Sequence, residues 1–175
     1  MSSLSRDLTV IAVFSGAGIT LKLADYLGEK GLNPLALATA VLSGVLFGLL
    51  GRMGSEESSY ALGIIVGVAL GGKINRPNLL AGLVTVAATC VILGVAFHIL
   101  WLVVFVTALS LFDEAGHDRL ASRTGAVGLL FRYRPSLKLG TLALAAAGLV
   151  SSTVAVGFLC FDLSYEVVSR LMPRA

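Results

Sequence analysis

The chain has 175 residues, of which 57% are hydrophobic and 13% charged, and its mean hydropathy is +0.93. An average soluble domain is about 45–50% apolar and about 25% charged. A soluble enzyme fold is therefore excluded, because too few polar residues exist to cover one. The composition predicts an all-α, polytopic membrane helix bundle forming one domain over residues 1–175. Its place is a cell membrane, and the low lysine content points to a prokaryotic plasma membrane. The net charge of +3 is no sign of nucleic acid, since the basic residues sit between apolar segments, where they set orientation. Cys90 and Cys160 lie inside apolar runs and read as small hydrophobes rather than as a disulfide. No signal-peptide pattern opens the chain.

A span needs about 20 apolar residues. The first expected span runs from Leu8 to about Leu27 and stops around Gly28 and Gly31. The second starts after Asn33-Pro34, a pair suited to a helix start, and ends near Gly51-Arg52. The third, Tyr60 to Gly72, is only 13 residues long and is expected to be thin, tilted or re-entrant. From Asn78 to Phe112 there are 35 residues without a formal charge. As one helix this run would be about 52 Å long against a hydrocarbon core of about 30 Å. It is expected to cross twice, turning near Phe97-His98-Ile99, although those residues include no turn former. A last apolar run from Leu139 to Phe161 continues as a mixed segment to Met172-Pro173 and reads as a single span.

Charge placement arbitrates between counts. Six spans put Lys22, Lys30, Lys73, Arg76, Arg119, Arg123, Arg132, Arg134 and Lys138 on one side, leaving Arg6, Arg52, Arg170 and Arg174 opposite. Five spans divide the same charges almost evenly. The positive-inside rule prefers six. Small residues punctuate the spans: Gly44 with Gly48, and Gly63, Gly67 and Gly71, repeat every four residues. Such faces let helix backbones approach closely, within one bundle or across a homodimer through Gly63, Gly67 and Gly71.

Ionisable residues near membrane helices are costly and mark sites. Lys22, Asp25 and Glu29 share one helix face by spacing, and Lys73 closes the third span. The densest group is Asp113, Glu114, His117 and Asp118, with Arg119 and Arg123 following. Carboxylates with an imidazole suit a divalent cation such as Mg²⁺. The expected metal ligands are Asp25, Asp113, Glu114 and Asp118. His117 and Asp118 are the candidate catalytic pair, and Lys22, Lys73, Arg119 and Arg123 the candidate phosphate holders. Asp162, Tyr165, Glu166 and Arg170 form another polar spot, which six spans place on the opposite side. His98 reads as an interfacial or packed histidine.

Asp113-Glu114-x-x-x-Asp118 resembles, over six residues, the aspartate-rich motifs that hold Mg²⁺-diphosphate in prenyl-transferring enzymes. Those enzymes carry two such motifs and the membrane-bound ones are larger, so no family is assigned. The expectation is a cytoplasmic-face enzyme using Mg²⁺ for phosphoryl or prenyl transfer on a phosphorylated lipid or isoprenoid. Membrane lipids are its expected surroundings, and nucleic acid is not a partner. The competing readings are a small transporter or channel, or a non-catalytic subunit of a membrane complex. Six spans in about 175 residues match, in size alone, the substrate-capturing subunits of vitamin importers.

Overall fold

The computed structural model describes residues 3–96, 98–120, 124–125, 128, 131 and 133–172. Phe97, Arg123, Arg132 and Arg174 lie outside the described residues. The described residues form seven helices and no strand: α1 Ser3–Glu29, α2 Pro34–Met53, α3 Ser55–Leu70, α4 Pro77–Leu93, α5 Leu100–Leu120, α6 Pro135–Ala146 and α7 Ser152–Leu171. Three of them, α1, α2 and α5, are long and apolar enough to cross a membrane, and α4 is a shorter apolar helix.

Local chemistry sets the boundaries. Asn33 accepts a hydrogen bond from the Ala36 amide at 2.9 Å and caps α2, with Pro34 in the first turn, where its missing N–H costs nothing. The long uncharged run does break in two. Its break comes at Gly94, with φ of 69°, three residues before the expected turn. Ser58 and Ser59 of α3 then tie the connection down, the first to His98 Nδ1 at 2.8 Å and the second to the Ile99 amide at 2.8 Å.

Two expectations are corrected. The apolar run from Leu139 is not one helix. It turns at Gly148, with φ of 70°, and continues as α7 behind a Ser151 cap. The segment from Ser152 onward therefore returns to the end from which α6 set out. Asp162, Tyr165 and Glu166 thus share an end with Asp25 and Lys73, not the opposite one: Lys138 of α6 reaches Asp162 and Glu166, each at 2.9 Å.

Helices α1, α3, α5 and α7 run one way and α2, α4 and α6 the other. The end where α1 starts is called proximal here, and the end where it finishes distal. The neighbours form a closed ring, α1–α2–α3–α5–α6–α7 and back to α1, with α4 outside against α2 and α1. Within that ring α1–α3 and α5–α7 are two three-helix units joined by α4. The first helix of each unit pairs with the third helix of the other, so exchanging the units preserves the pattern. Asp25-x-x-Gly28 near the end of α1 and Asp113-x-x-Gly116 near the end of α5 echo the same relation, as do the prolines that open α2 and α6.

The two seams between the units are very close. A Cβ on Gly18 would collide with the Phe161 carbonyl, and one on Gly157 would lie 2.6 Å from the Phe14 ring. On the other seam a Cβ on Gly63 would lie 2.7 Å from Val106, and one on Gly67 2.6 Å from Ser110. The Gly63, Gly67 and Gly71 face is thus taken up by α5 within the chain. Phe14, Phe47, Tyr60, Leu102, Val106 and Phe158 fill the ring's proximal half. The Tyr60 hydroxyl is satisfied there by Thr141 Oγ1 at 3.1 Å. Outer faces carry exposed Leu8, Val41, Val84, Val104, Leu142 and Leu163, a surface suited to hydrocarbon. By contrast α3 sits inside, which is why it can be short and begin with Glu56, Glu57, Ser58 and Ser59.

Gly67→Leu is expected to force α3 off α5, an overpacking effect of about 1–3 kcal/mol, and to lower the melting temperature in detergent. Ala69→Leu, on an exposed position of the same helix, is the control and should melt like the parent.

Candidate functional site

In the distal half the ring opens into a cavity of about 400 Å³. Its floor is apolar, made by Leu21, Ile64, Val68, Phe158 and Phe161, and its upper walls are charged. Four cations line it, Lys22, Lys73, Arg76 and Arg134, and so do six carboxylates, Asp25, Glu29, Asp113, Glu114, Asp118 and Asp162.

Each lining cation is engaged. Lys22 meets Asp25 at 2.9 Å across one helical turn. Arg76, between α3 and α4, reaches Asp25 at 3.0 Å and Glu29 at 3.4 Å, and also donates to the Asp25 carbonyl. Asn78, fully buried at the start of α4, donates to the Ala24 carbonyl at 2.7 Å. Together they tie the α3–α4 connection and the start of α4 to the last turns of α1, with positive charge where the helix dipole favours it. Lys73 bridges Glu114 at 2.9 Å and Asp118 at 2.8 Å, while Arg134 takes the other oxygen of Glu114 at 3.1 Å. The Glu114 side chain is only 8% exposed, and its double pairing offsets the cost of burying a carboxylate there. Asp118, half exposed, gains less.

Asp113 has a different occupation. It is buried, and its two oxygens accept from the amides of Ser136 at 2.9 Å and Leu137 at 2.8 Å. It therefore caps the first turn of α6 from a neighbouring helix, a service the chain's own residue there, Arg134, does not supply. At the proximal end Glu56 does the same for the Ser151 amide before α7, at 2.8 Å.

The structure brings most of the expected site residues to one place. Asp25, Asp113, Glu114, His117, Asp118, Lys22 and Lys73 all line the cavity. Arg119 is exposed and stands outside its wall, and Arg123 lies outside the described residues. His117 Nδ1 is 3.3 Å from the Phe131 carbonyl. The expected ligands are not gathered around one point: among the described residues no three His, Cys, Asp or Glu side chains are placed to hold a metal ion. Sequence reading missed Arg76 and Arg134 as wall residues, treating them as topology signals, and it put Asp162 and Tyr165 at the wrong end. The echo between Asp25-x-x-Gly28 and Asp113-x-x-Gly116 is the signal that could have paired the two walls.

No known protein family, curated protein or solved structure matches the chain.

Burial lowers the basicity of the Lys73 ammonium, but the Asp118 and Glu114 carboxylates outweigh it and hold its pKa above the ordinary lysine value. The sign follows: the stability this group adds is complete below the unfolded lysine value, about 10.4, and is lost as pH rises through the higher folded value. Alkaline melts of the parent and Lys73→Met should accordingly converge only above that range. Asp113→Ala should destabilise by about 1–3 kcal/mol through two orphaned amides, and a chelator should leave that loss unchanged.

Proposed function

We propose that the chain is a multi-pass protein of seven spans whose distal end faces the cytoplasm, and that it transports a small cationic solute. Orientation is supported by charge. Lys22, Lys30, Lys73, Arg76, Arg119, Arg134, Lys138 and Arg170 belong to the distal end, against Arg6 and Arg52 at the proximal one. The positive-inside rule then places the cavity mouth in the cytoplasm.

One observation carries the transport reading: the charged cavity lies between the two three-helix units, open distally and closed proximally by the aromatic core. Paired repeats with the same orientation commonly hold their substrate at the repeat interface and work by rocking one repeat against the other. Ile64 and Phe158 of the floor stand in the middle part of α3 and α7, which supports a site near mid-bilayer, where such sites commonly lie. Cation preference is supported by the wall, where carboxylates outnumber cations and no lining cation is left without a carboxylate. A phosphate would meet that wall without a free partner.

The Mg²⁺-dependent phosphoryl or prenyl transfer reading retains one support. His117, Asp118 and Glu114 share the cavity with Lys22 and Lys73, so a metal arriving with a phosphorylated lipid would find both kinds of group. The two readings separate in a melt of the purified protein. Small organic cations such as tetramethylammonium should raise the melting temperature by mass action, and Asp25→Asn should weaken that effect at least tenfold. In proteoliposomes the same variant should lose counterflow of the ion. Stabilisation by Mg²⁺ with diphosphate, and none by organic cations, would reverse the ranking. Thiol labelling of Lys30→Cys and Arg52→Cys from opposite faces tests the orientation.

A further inference from the structure

We propose that the substrate is an amphiphilic cation, whose apolar part sits in a side pocket between α3 and α4 while its charge faces the carboxylates of the cavity. The inference rests on the cation-binding reading above and adds the substrate's second half.

A second cavity, of about 80 Å³, lies against α2 in the cleft between α3 and α4. Of its lining side chains only Ser43 is polar. It shares Leu21, Ile64, Val68 and Leu79 with the charged cavity, so the same four side chains border both spaces. The helix arrangement explains why a cleft exists. Helix α3 packs on α2 and α5, whereas α4 packs on α2 and α1, so each lies on its own flank of α2. Gly44 and Gly82 bring α2 and α4 so close that a Cβ on Gly44 would collide with the Gly82 carbonyl. That contact fixes α4 to α2 and leaves the α3 side unfilled.

A small polar ion has no use for such a pocket, and removing its hydration shell there would oppose binding. A long acyl chain would outgrow it. A ring or short alkyl group attached to a cation suits a small apolar pocket beside a charged cavity. The exposed cleft also offers that group a way in from the bilayer, where an amphiphilic cation partitions.

Alkyltrimethylammonium ions provide the test, with binding to the full-length protein in detergent read by calorimetry from tetramethyl through butyl to hexyl and decyl. Affinity should rise about threefold to fourfold per added methylene and then level off once the pocket is full. Leu83→Trp, which fills the side pocket, should bring the hexyl-to-methyl affinity ratio close to one. Leu83→Ala, the milder change, should move the levelling-off point to a longer chain, and it serves if the tryptophan variant does not fold. Binding of tetramethylammonium with no gain along the series, or a ratio indifferent to residue 83, would overturn the side pocket and leave the cation reading standing. Failure of every ion in the series to bind would remove the cation reading itself.

Discussion

The bundle depends on two helix contacts that leave no room for a side chain: α1 on α7 at Gly18 and Gly157, and α3 on α5 at Gly63 and Gly67. Lipid tails are as apolar as leucine, so no hydrophobic force gathers helices in a bilayer, and close van der Waals contact must do it. Both seams join the same two three-helix units. Following each seam distally, small residues give way to large or charged ones. On the first, Gly18 is succeeded by Lys22, whose ammonium lies 5.1 Å from the Tyr165 ring. On the second, Gly67 is succeeded by Gly71 beside Glu114 and then by Lys73. The ring is tight where the residues are small and opens where they are not. The cavity is the consequence of that change.

An opening lined with charge would be unstable unless each charge were answered. Glu114 sits between Lys73 and Arg134, Asp25 between Lys22 and Arg76, and Asp113 against two amides. Among the described residues no buried side-chain nitrogen or oxygen lacks a partner. These pairs also bind the elements together. Arg76 joins the α3–α4 connection to α1, Arg134 joins the start of α6 to α5, and Lys138 joins α6 to α7. Breaking a pair by removing one partner strands the other near an apolar floor, which costs far more than the pair itself contributes.

Much of this was legible in the sequence, for identifiable reasons. Composition alone indicated apolar helices, and Asn33-Pro34 marked the start of α2 because capping is local chemistry. The Asp113–Asp118 turn and Asp25 were placed together by counting crossings. The turn at Gly148 was not legible, because a glycine in an Ala-rich run looks like one more packing residue and only its positive φ reveals a turn. That single missed turn inverted the position of everything after it, Asp162 and Tyr165 included. Asp113 has a capping role that the sequence did not suggest. A buried carboxylate beside other acids looks like a ligand, and only the fold brings the amides of Ser136 and Leu137 to it. Non-local capping leaves no pattern along the chain.

Under the transport proposal, the same ion pairs that hold the walls would govern the exchange of a cationic solute. A cation arriving at Asp25 or Glu114 does not create a favourable contact from nothing, because Lys22 or Lys73 already occupies the carboxylate. It substitutes for an ammonium tethered to the wall, so the net gain in electrostatic energy is small. Lys73 is suited to yield in this way: its side chain is 38% exposed, and Asp118 remains as an alternative partner when Glu114 is taken. Release is then equally easy, since the tethered ammonium is always close enough to return. Selectivity among cations under such an exchange cannot come from charge alone, which the wall already supplies to itself. It has to come from what the lysines lack, an apolar body. Leu21, Ile64, Val68 and Leu79, which border both the cavity and the cleft, offer one a place beside these carboxylates.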